Sequence, residues 1–237
     1  MVSLSYKFYV RTETNMAEIK NGRLTFKMAT YNIAAQSLCL DDPDSIARDI
    51  ADADADIVGL QEVDMFMSRS GERDMLAEIA AAAAYPHYRF IRAIDYKGGQ
   101  YGTAILSKHP IEQLEVIDLD SASENRSLGR FVINVLGERI NYFNTHLSCV
   151  EEERLSNLKI MAAVLDGYES YVITADFNTN KKVLINAFPA HRLVNPIDDG
   201  IDNIIMTEDF DFSSPGLAEA VHSDHGMLTA LITKSLN

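Results

Sequence analysis

The chain has 237 residues, 47% of them hydrophobic, which is ample apolar material for a sizeable core. Its 21 basic residues stand against 35 acidic ones, and the formal charge of -14 excludes a broad basic footprint for duplex nucleic acid. No run approaches the ~18 apolar residues of a membrane-spanning helix, and the N-terminus lacks a signal-peptide core. Two cysteines, Cys39 and Cys149, have no zinc-site or disulfide-framework spacing and read as reduced, buried thiols. A cytoplasmic protein of undetermined oligomeric state is the expectation, and a small phosphorylated or neutral-headed substrate fits this surface better than long DNA.

Residues 1–22 read as a polar extension able to add an edge strand, and residues 23–237 as a single domain. Leu24–Asn32 reads as a strand, and Asp44 or Ser45 can N-cap a helix with Ile46, Ile50 and Ala53 on one face. The apolar strand Ile57–Val63 follows, then a charged loop, Met65–Asp74, turning at Ser70-Gly71. Met75–Tyr85 is an alanine-rich helix stopped by Pro86. Tyr88–Ile94, Thr103–Ser107, Leu114–Leu119, Phe131–Leu136 and Ile140–Thr145 read as strands, the last two joined by a Gly137-Glu138 hairpin turn. Glu151–Leu165 is an amphipathic helix with Leu155, Leu158, Ala162 and Leu165 inward. Tyr171–Ala175 is a strand, Lys182–Phe188 a short helix, and Ile204–Met206 and Met227–Ile232 are closing strands. Hairpins mixed with helical crossovers predict a four-layer α/β sandwich: two mixed β-sheets face to face, with helices outside.

The chemistry is written at the ends of the apolar runs. Glu62 follows Val58-Gly59-Leu60-Gln61, where a carboxylate is a candidate ligand for a hard cation; alone, it also fits a solvated strand end. Asn32 ends the preceding strand and can hold Glu62 or a metal-bound water, or simply make a turn. Asp176-Phe177-Asn178 puts two polar side chains on one side of an extended segment, suited to activating water, or to an Asx turn before a helix cap. His146 and His225 each match a satisfied core histidine when taken singly. Yet His225 follows Asp224 and lies beyond Asp202, so an aspartate can fix its tautomer or keep it protonated. Six such residues at six element ends converge on one expectation, a shared polar pocket.

Jointly, Tyr31-Asn32, Leu60-Gln61-Glu62, Tyr101-Gly102-Thr103-Ala104-Ile105-Leu106-Ser107, Asn144-Thr145-His146-Leu147, Ala175-Asp176-Phe177-Asn178, Ile201-Asp202-Asn203-Ile204 and Ser223-Asp224-His225 resemble the endonuclease/exonuclease/phosphatase superfamily, the DNase I-like group. Every element stands in the family's order. The resemblance implies a Mg2+-dependent hydrolase of phosphodiesters, with Mn2+ as an alternative metal. Glu62 is implied as the metal ligand with Asn32 beside it, and Asp224 as the ligand of a water or second metal. Asp176 is implied as the base or its positioner, and Asn178 as its orienter and a phosphate contact. His146 would touch the phosphate, and His225, held by Asp202, would stabilise the phosphorane-like charge or act as acid/base. Arg126, in Glu124-Asn125-Arg126, resembles a phosphate-reaching arginine of the family, or is a free surface arginine.

Departures narrow the substrate. Ala175 replaces the usual glycine, Asn157 stands where the family's helix carries glutamine, and Ile33-Ala34-Ala35 replaces the Gly-Leu-Arg of AP endonucleases. The inositol 5-phosphatase hallmark is missing, and there is no Trp for base stacking. The loops Arg69–Asp74 and Ala93–Gly99 resemble a poorly characterised bacterial branch, and would rim the pocket and select the substrate. A DNase- or AP-endonuclease-like nuclease is the runner-up, then a phosphomonoesterase or sphingomyelinase-like lipid phosphodiesterase. From another class comes a silent binding module, disfavoured because none of the acidic, amide or imidazole positions is lost.

Overall fold

The computed structural model describes residues 16–35 and 43–236. The expectation for the Cys39 thiol lies outside these residues. The first half holds β1 (Glu18–Lys20), β2 (Arg23–Asn32), α1 (Pro43–Ala53), β3 (Ile57–Met65), α2 (Met75–Ala82), β4 (His87–Tyr96) and β5 (Gly99–Ser107). The second holds β6 (Ile111–Leu119), β7 (Arg126–Val135), β8 (Glu138–His146), α3 (Glu151–Leu165), β9 (Val172–Asp176), α4 (Lys181–Ala187), β10 (Arg192–Val194), β11 (Asp202–Met206), β12 (Phe210–Leu217) and β13 (Leu228–Ser235).

The strands form two mixed sheets. One runs β12-β13-β2-β3-β5-β4, with β1 paired to β2; the other runs β10-β11-β9-β8-β7-β6. Each contains one parallel pair, β2 with β3 and β8 with β9, and each pair is joined through a helix, α1 or α3. Parallel neighbours need such a crossover, and they bring two carboxyl ends side by side. Asn32 is thereby in register with Gln61, and His146 with Asp176.

Three apolar layers define the sandwich. Phe26, Met28, Ile57, Ile105, Phe131 and Tyr142 belong to the core between the sheets. Ile46, Ile50, Leu76 and Ile79 of α1 and α2 pack on Val58, Leu60 and Leu106 of the first sheet. Leu158, Met161 and Leu165 of α3 pack on Phe143, Ile173 and Phe177 of the second. The expected α/β sandwich with outer helices is the architecture found.

Several local expectations are corrected. Helix α1 begins at Pro43, so Asp44 and Ser45 lie inside its first turn rather than capping it. Helix α2 ends at Ala82, ahead of Pro86, because Ala84 adopts a φ of 61° and Tyr85 N–H turns back to the Ala80 carbonyl at 2.8 Å. The β7–β8 turn residues are Leu136 and Gly137, with φ of 55° and 97°, not Gly137 and Glu138. Both positive angles suit the twist of a two-residue hairpin. On α3, Asn157, Leu158, Met161 and Leu165 face inward, whereas Leu155 and Ala162 face out. Strand β12 was not expected: Ser213-Ser214-Pro215 interrupts its apolar pattern, and the ladder bulges there with Ser214 at φ 50°. Proline is tolerated because this strand is a sheet edge. Cys149 is a free, exposed thiol rather than a buried one.

Candidate active site

Beneath the site lies a buried polar seam that joins the two sheets. Gln61 Nε2 donates to Thr30 Oγ1 at 3.0 Å and to Asn144 Oδ1 at 2.8 Å. Asn144 Nδ2 donates to the Leu60 and Ala104 carbonyls at 3.0 and 2.9 Å, and Thr174 Oγ1 donates to Asn144 Oδ1 at 3.1 Å. Tyr142 hydrogen-bonds Thr174, and none of these side chains is exposed. Buried amides and hydroxyls are affordable only when satisfied in this way. Sequence reasoning had Gln61 and Asn144 in its motifs but assigned them no task; their task is to set the register between the sheets.

Glu62 does not close its strand. It sits at a bulge where the β3–β5 register slips between Leu60 and Val63, with φ of 58°, and β3 continues to Met65. Such bulges re-aim a side chain, here toward the end of β2. Asn32 Nδ2 donates both to Glu62 Oε1 at 3.2 Å and to Asp176 Oδ2 at 2.9 Å, bridging the two sheets. Asn32 is itself held: its Oδ1 accepts from Ala34 N–H at 3.0 Å, and its carbonyl accepts from Ser223 Oγ at 2.6 Å. Ser223 also accepts the His225 N–H at 3.1 Å, tying the Ser223-Asp224-His225 loop to β2.

Asp176 Oδ2 is the centre of the cluster. Besides Asn32, it faces His146 Nε2 at 3.5 Å and His225 Nε2 at 3.8 Å. Its Oδ1 accepts from Asn178 N–H at 2.8 Å, so the Asx turn of this tripeptide is realised while Oδ2 stays turned to the cluster. Asn178, at φ 50°, donates its amide to the Leu147 carbonyl at 2.8 Å and lies 3.0 Å from His146 Nε2. Phe177 points the other way, into the α3 core.

The two histidines are in opposite states. Burial pushes His146 down to about 4, helped by the Arg126 and His225 charges and opposed by Asp176, so its imidazole is neutral. Arg126 Nη1 lies 3.2 Å from His146 Nδ1. An arginine only donates, so Nδ1 accepts there, while Nε2 stands between the donor Asn178 Nδ2 at 3.0 Å and the acceptor Asp176 Oδ2 at 3.5 Å. Arg126 is therefore no free surface arginine: it is buried, salt-bridged to Glu124 at 2.8 Å, and its Nε has no partner.

For His225, burial alone would lower the pKa. The hydrogen bond and charge of Asp202, with the Asp176 and Asp224 charges, outweigh it and push the group up to about 9. Asp202 Oδ2 is 2.7 Å from His225 Nδ1. The stability this pairing contributes is complete below the ordinary 6.5 and is lost as pH rises through about 9. Asp202→Asn is expected to lower the His225 titration midpoint by about two units in NMR of metal-free protein. It also flattens the fall in urea midpoint between these pH values; an unmoved midpoint contradicts the pairing.

Glu62 has a raised pKa, first from burial; the Asn32 hydrogen bond and His225 oppose this, and the Asp176 and Asp224 charges reinforce it. Desolvated carboxylates are the donor chemistry a hard divalent cation requires. Asp202 Oδ1 is also buried without a partner. Asp176, Asp202 and His225 bring ligand atoms within 4.8 Å of one another, but His225 and Asp202 already bond each other. The oxygen donors that leave that pair intact are the carboxylates of Glu62 and the exposed Asp224, with Asn32 orienting Glu62 through its Nδ2–H.

The sequence model of the Endonuclease/Exonuclease/phosphatase family matches residues 29–225, and the chain belongs to that family. Its members are hydrolases acting on phosphoester bonds. No curated protein matches the chain. Among solved structures, an endonuclease/exonuclease/phosphatase from Beutenbergia cavernae shares 20% identity over 89% of this chain and 72% of its own, with a TM-score of 0.75. D. rerio TDP2 complexed with single strand DNA product shares 15%, over 88% and 98%, with a TM-score of 0.69. A Bacteroides thetaiotaomicron mannosyl-6-phosphatase shares 16%, over 87% and 99%, with a TM-score of 0.64. Among the described residues, no helix is long and apolar enough to cross a membrane.

Proposed function

We propose that this chain is a Mg2+-dependent phosphoesterase that hydrolyses a phosphodiester by in-line attack of water. The observation that carries the reading is the meeting of Asn32, His146 and His225 at one oxygen, Asp176 Oδ2. Asp176 takes the proton from the attacking water, held in place by Asn32 and the Asn178 N–H. His146, Asn178 and the buried Arg126 stabilise the charge that grows on the phosphoryl oxygens. Protonated His225 gives its Nε2 proton to the leaving oxygen as the P–O bond breaks. The proton on Asp176 then returns to His225, 3.8 Å away, and both groups are reset.

Glu62 and Asp224 would hold the cation, Mg2+ or alternatively Mn2+, with Asn32 fixing Glu62 beside it. When bound, it supplies Lewis-acid stabilisation of charge on phosphoryl or leaving oxygens. Residues 23–237 would act as the catalytic unit, with residues 1–22 as an extension whose β1 lies along β2. A neighbour holding single strand DNA product and another named a mannosyl-6-phosphatase keep a nuclease and a phosphomonoesterase as second readings.

The test is calorimetric and kinetic together. Asn32→Ala weakens Mg2+ binding by roughly 10–100-fold, and Glu62→Gln weakens it further, with parallel loss of bis-p-nitrophenyl phosphate turnover. Unchanged Mg2+ affinity in both variants removes Glu62 and Asn32 from the cation site.

A further inference from the structure

On this acidic chain, Arg69 and Lys97 meet at the rim formed by the end of β3 and the β4–β5 hairpin. Arg69 Nε and Nη2 grip both oxygens of Asp64, at 2.7 and 2.6 Å, and Asp64 is fully buried. The guanidinium carbon lies 5.4 Å from the Tyr101 ring centre and 6.0 Å from that of Tyr96. Lys97 Nζ is 4.9 Å from the same Tyr96 ring, and Lys97 makes no ion pair among the described residues. Both cations therefore lie beside one aromatic ring, and Asp64 pairs with Arg69 alone. Asp95, the other acid here, is taken by Arg92 at 2.5 Å.

The arrangement is rigid. A Cβ on Gly99 would strike the backbone of Met65, Phe66 and Met67, so the hairpin is pressed onto the chain leaving β3. The fork uses Nε and Nη2, and Arg69 Nη1 makes no hydrogen bond among the described residues. On the Lys97 side of the Tyr96 ring a cleft of about 570 Å³ opens, lined by Phe66, Asp95, Tyr96, Lys97 and Gly98; Arg69 stands behind that ring rather than on the cleft wall. Asp64, which positions Arg69, is two residues along β3 from Glu62, roughly 7 Å of strand. A structural clamp explains the Arg69–Asp64 pair but leaves the unpartnered Nη1 and Lys97 without a purpose. A planar fork that keeps one free edge is the usual recognition element for phosphate.

We propose that Arg69 and Lys97 form a subsite for a second phosphate on the substrate, so that doubly phosphorylated substrates are preferred over singly phosphorylated ones. This rests on the phosphoesterase reading above. That second phosphate belongs either to the next unit of a short nucleotide or to a phosphorylated sugar.

Two substrate pairs separate these sources: thymidine 5′-(p-nitrophenyl phosphate) with and without a 3′-phosphate, and mannose 6-phosphate with and without a 1-phosphate. Within one pair, kcat/KM favours the doubly phosphorylated member in the wild type. Arg69→Gln reduces that preference about tenfold and Lys97→Gln about threefold, chiefly through KM. No preference in either pair, or a preference unchanged in both variants, overturns the subsite. Lys97 is exposed, so its variant carries the test if Arg69→Gln disturbs the loop. If no substrate turns over, the phosphoesterase reading fails separately, and calorimetry with pyrophosphate in Mg2+ decides the subsite. Weaker binding by Lys97→Gln sustains it; absent or unaltered binding ends it.

Discussion

Asp176→Asn is expected to lower kcat for bis-p-nitrophenyl phosphate by about a thousandfold, with KM nearly unchanged. Asp176 is buried and contacts Asn32 of the opposite sheet and both His146 and His225. An asparagine there keeps the shape and can still accept from the Asn178 N–H, but its amide cannot take a proton from water. Burst-free steady-state rates in Mg2+ check this, and a loss smaller than about tenfold would mean that another group is the base. His225→Gln offers a complementary reading, since an acid matters most for a poor leaving group. Its loss should be several times larger on an alkyl diester than on the p-nitrophenyl ester, and equal losses would assign His225 to charge stabilisation alone.

The second large effect falls on stability, at a residue far from any motif role. Gly59 faces the polar seam, and a Cβ there would overlap Thr174 Oγ1 and the Tyr142 hydroxyl and stand 2.8 Å from Asn144 Oδ1. All three neighbours are fully buried and hydrogen-bonded to each other, so none can retreat. Overpacking combined with a broken buried hydrogen bond costs about 3 kcal/mol or more. Gly59→Ala should therefore lower Tm by roughly 6–12 °C. Adding Thr174→Ala removes the nearest hydroxyl, and thermal melts of the double variant should recover part of the loss. Strict additivity of the two substitutions would show that the clash is not where the geometry puts it.

The candidate site was legible because its residues are chemically conspicuous where they stand. A carboxylate, a carboxamide or an imidazole directly after Val58-Gly59-Leu60 or Val172-Ile173-Thr174 demands a partner, and local pattern alone exposes that demand. The strand β12 was not legible, since Ser213-Ser214-Pro215 carries the signature of a loop, and only its pairing with β13 makes it a strand. Helix α3 had the expected ends but a different inward face, because the sheet beneath it selects Asn157, Leu158 and Met161. The amide of Asn157 reaches the Asp120 carbonyl at 3.2 Å, a contact that no helical periodicity encodes.

Arg69 shows the same division. Its loop was marked as a rim from resemblance, yet the fork onto Asp64 and the two tyrosine rings depends on how β3, the 3-10 turn Ser68–Ser70 and the β4–β5 hairpin meet.

Taken alone, the order of residue types along the chain determined the layered α/β class, the family and the identity of the polar groups at the strand ends. Those properties follow from short-range spacing, which a linear string records in full. What only the tertiary structure decided is the state of those groups: the bulge that turns Glu62 toward Asn32, a neutral His146 against Arg126, and a protonated His225 against Asp202. Protonation is set by desolvation and by charges brought together from positions as far apart as 176 and 202, or 126 and 146, and those distances exist only after the two sheets have closed on each other.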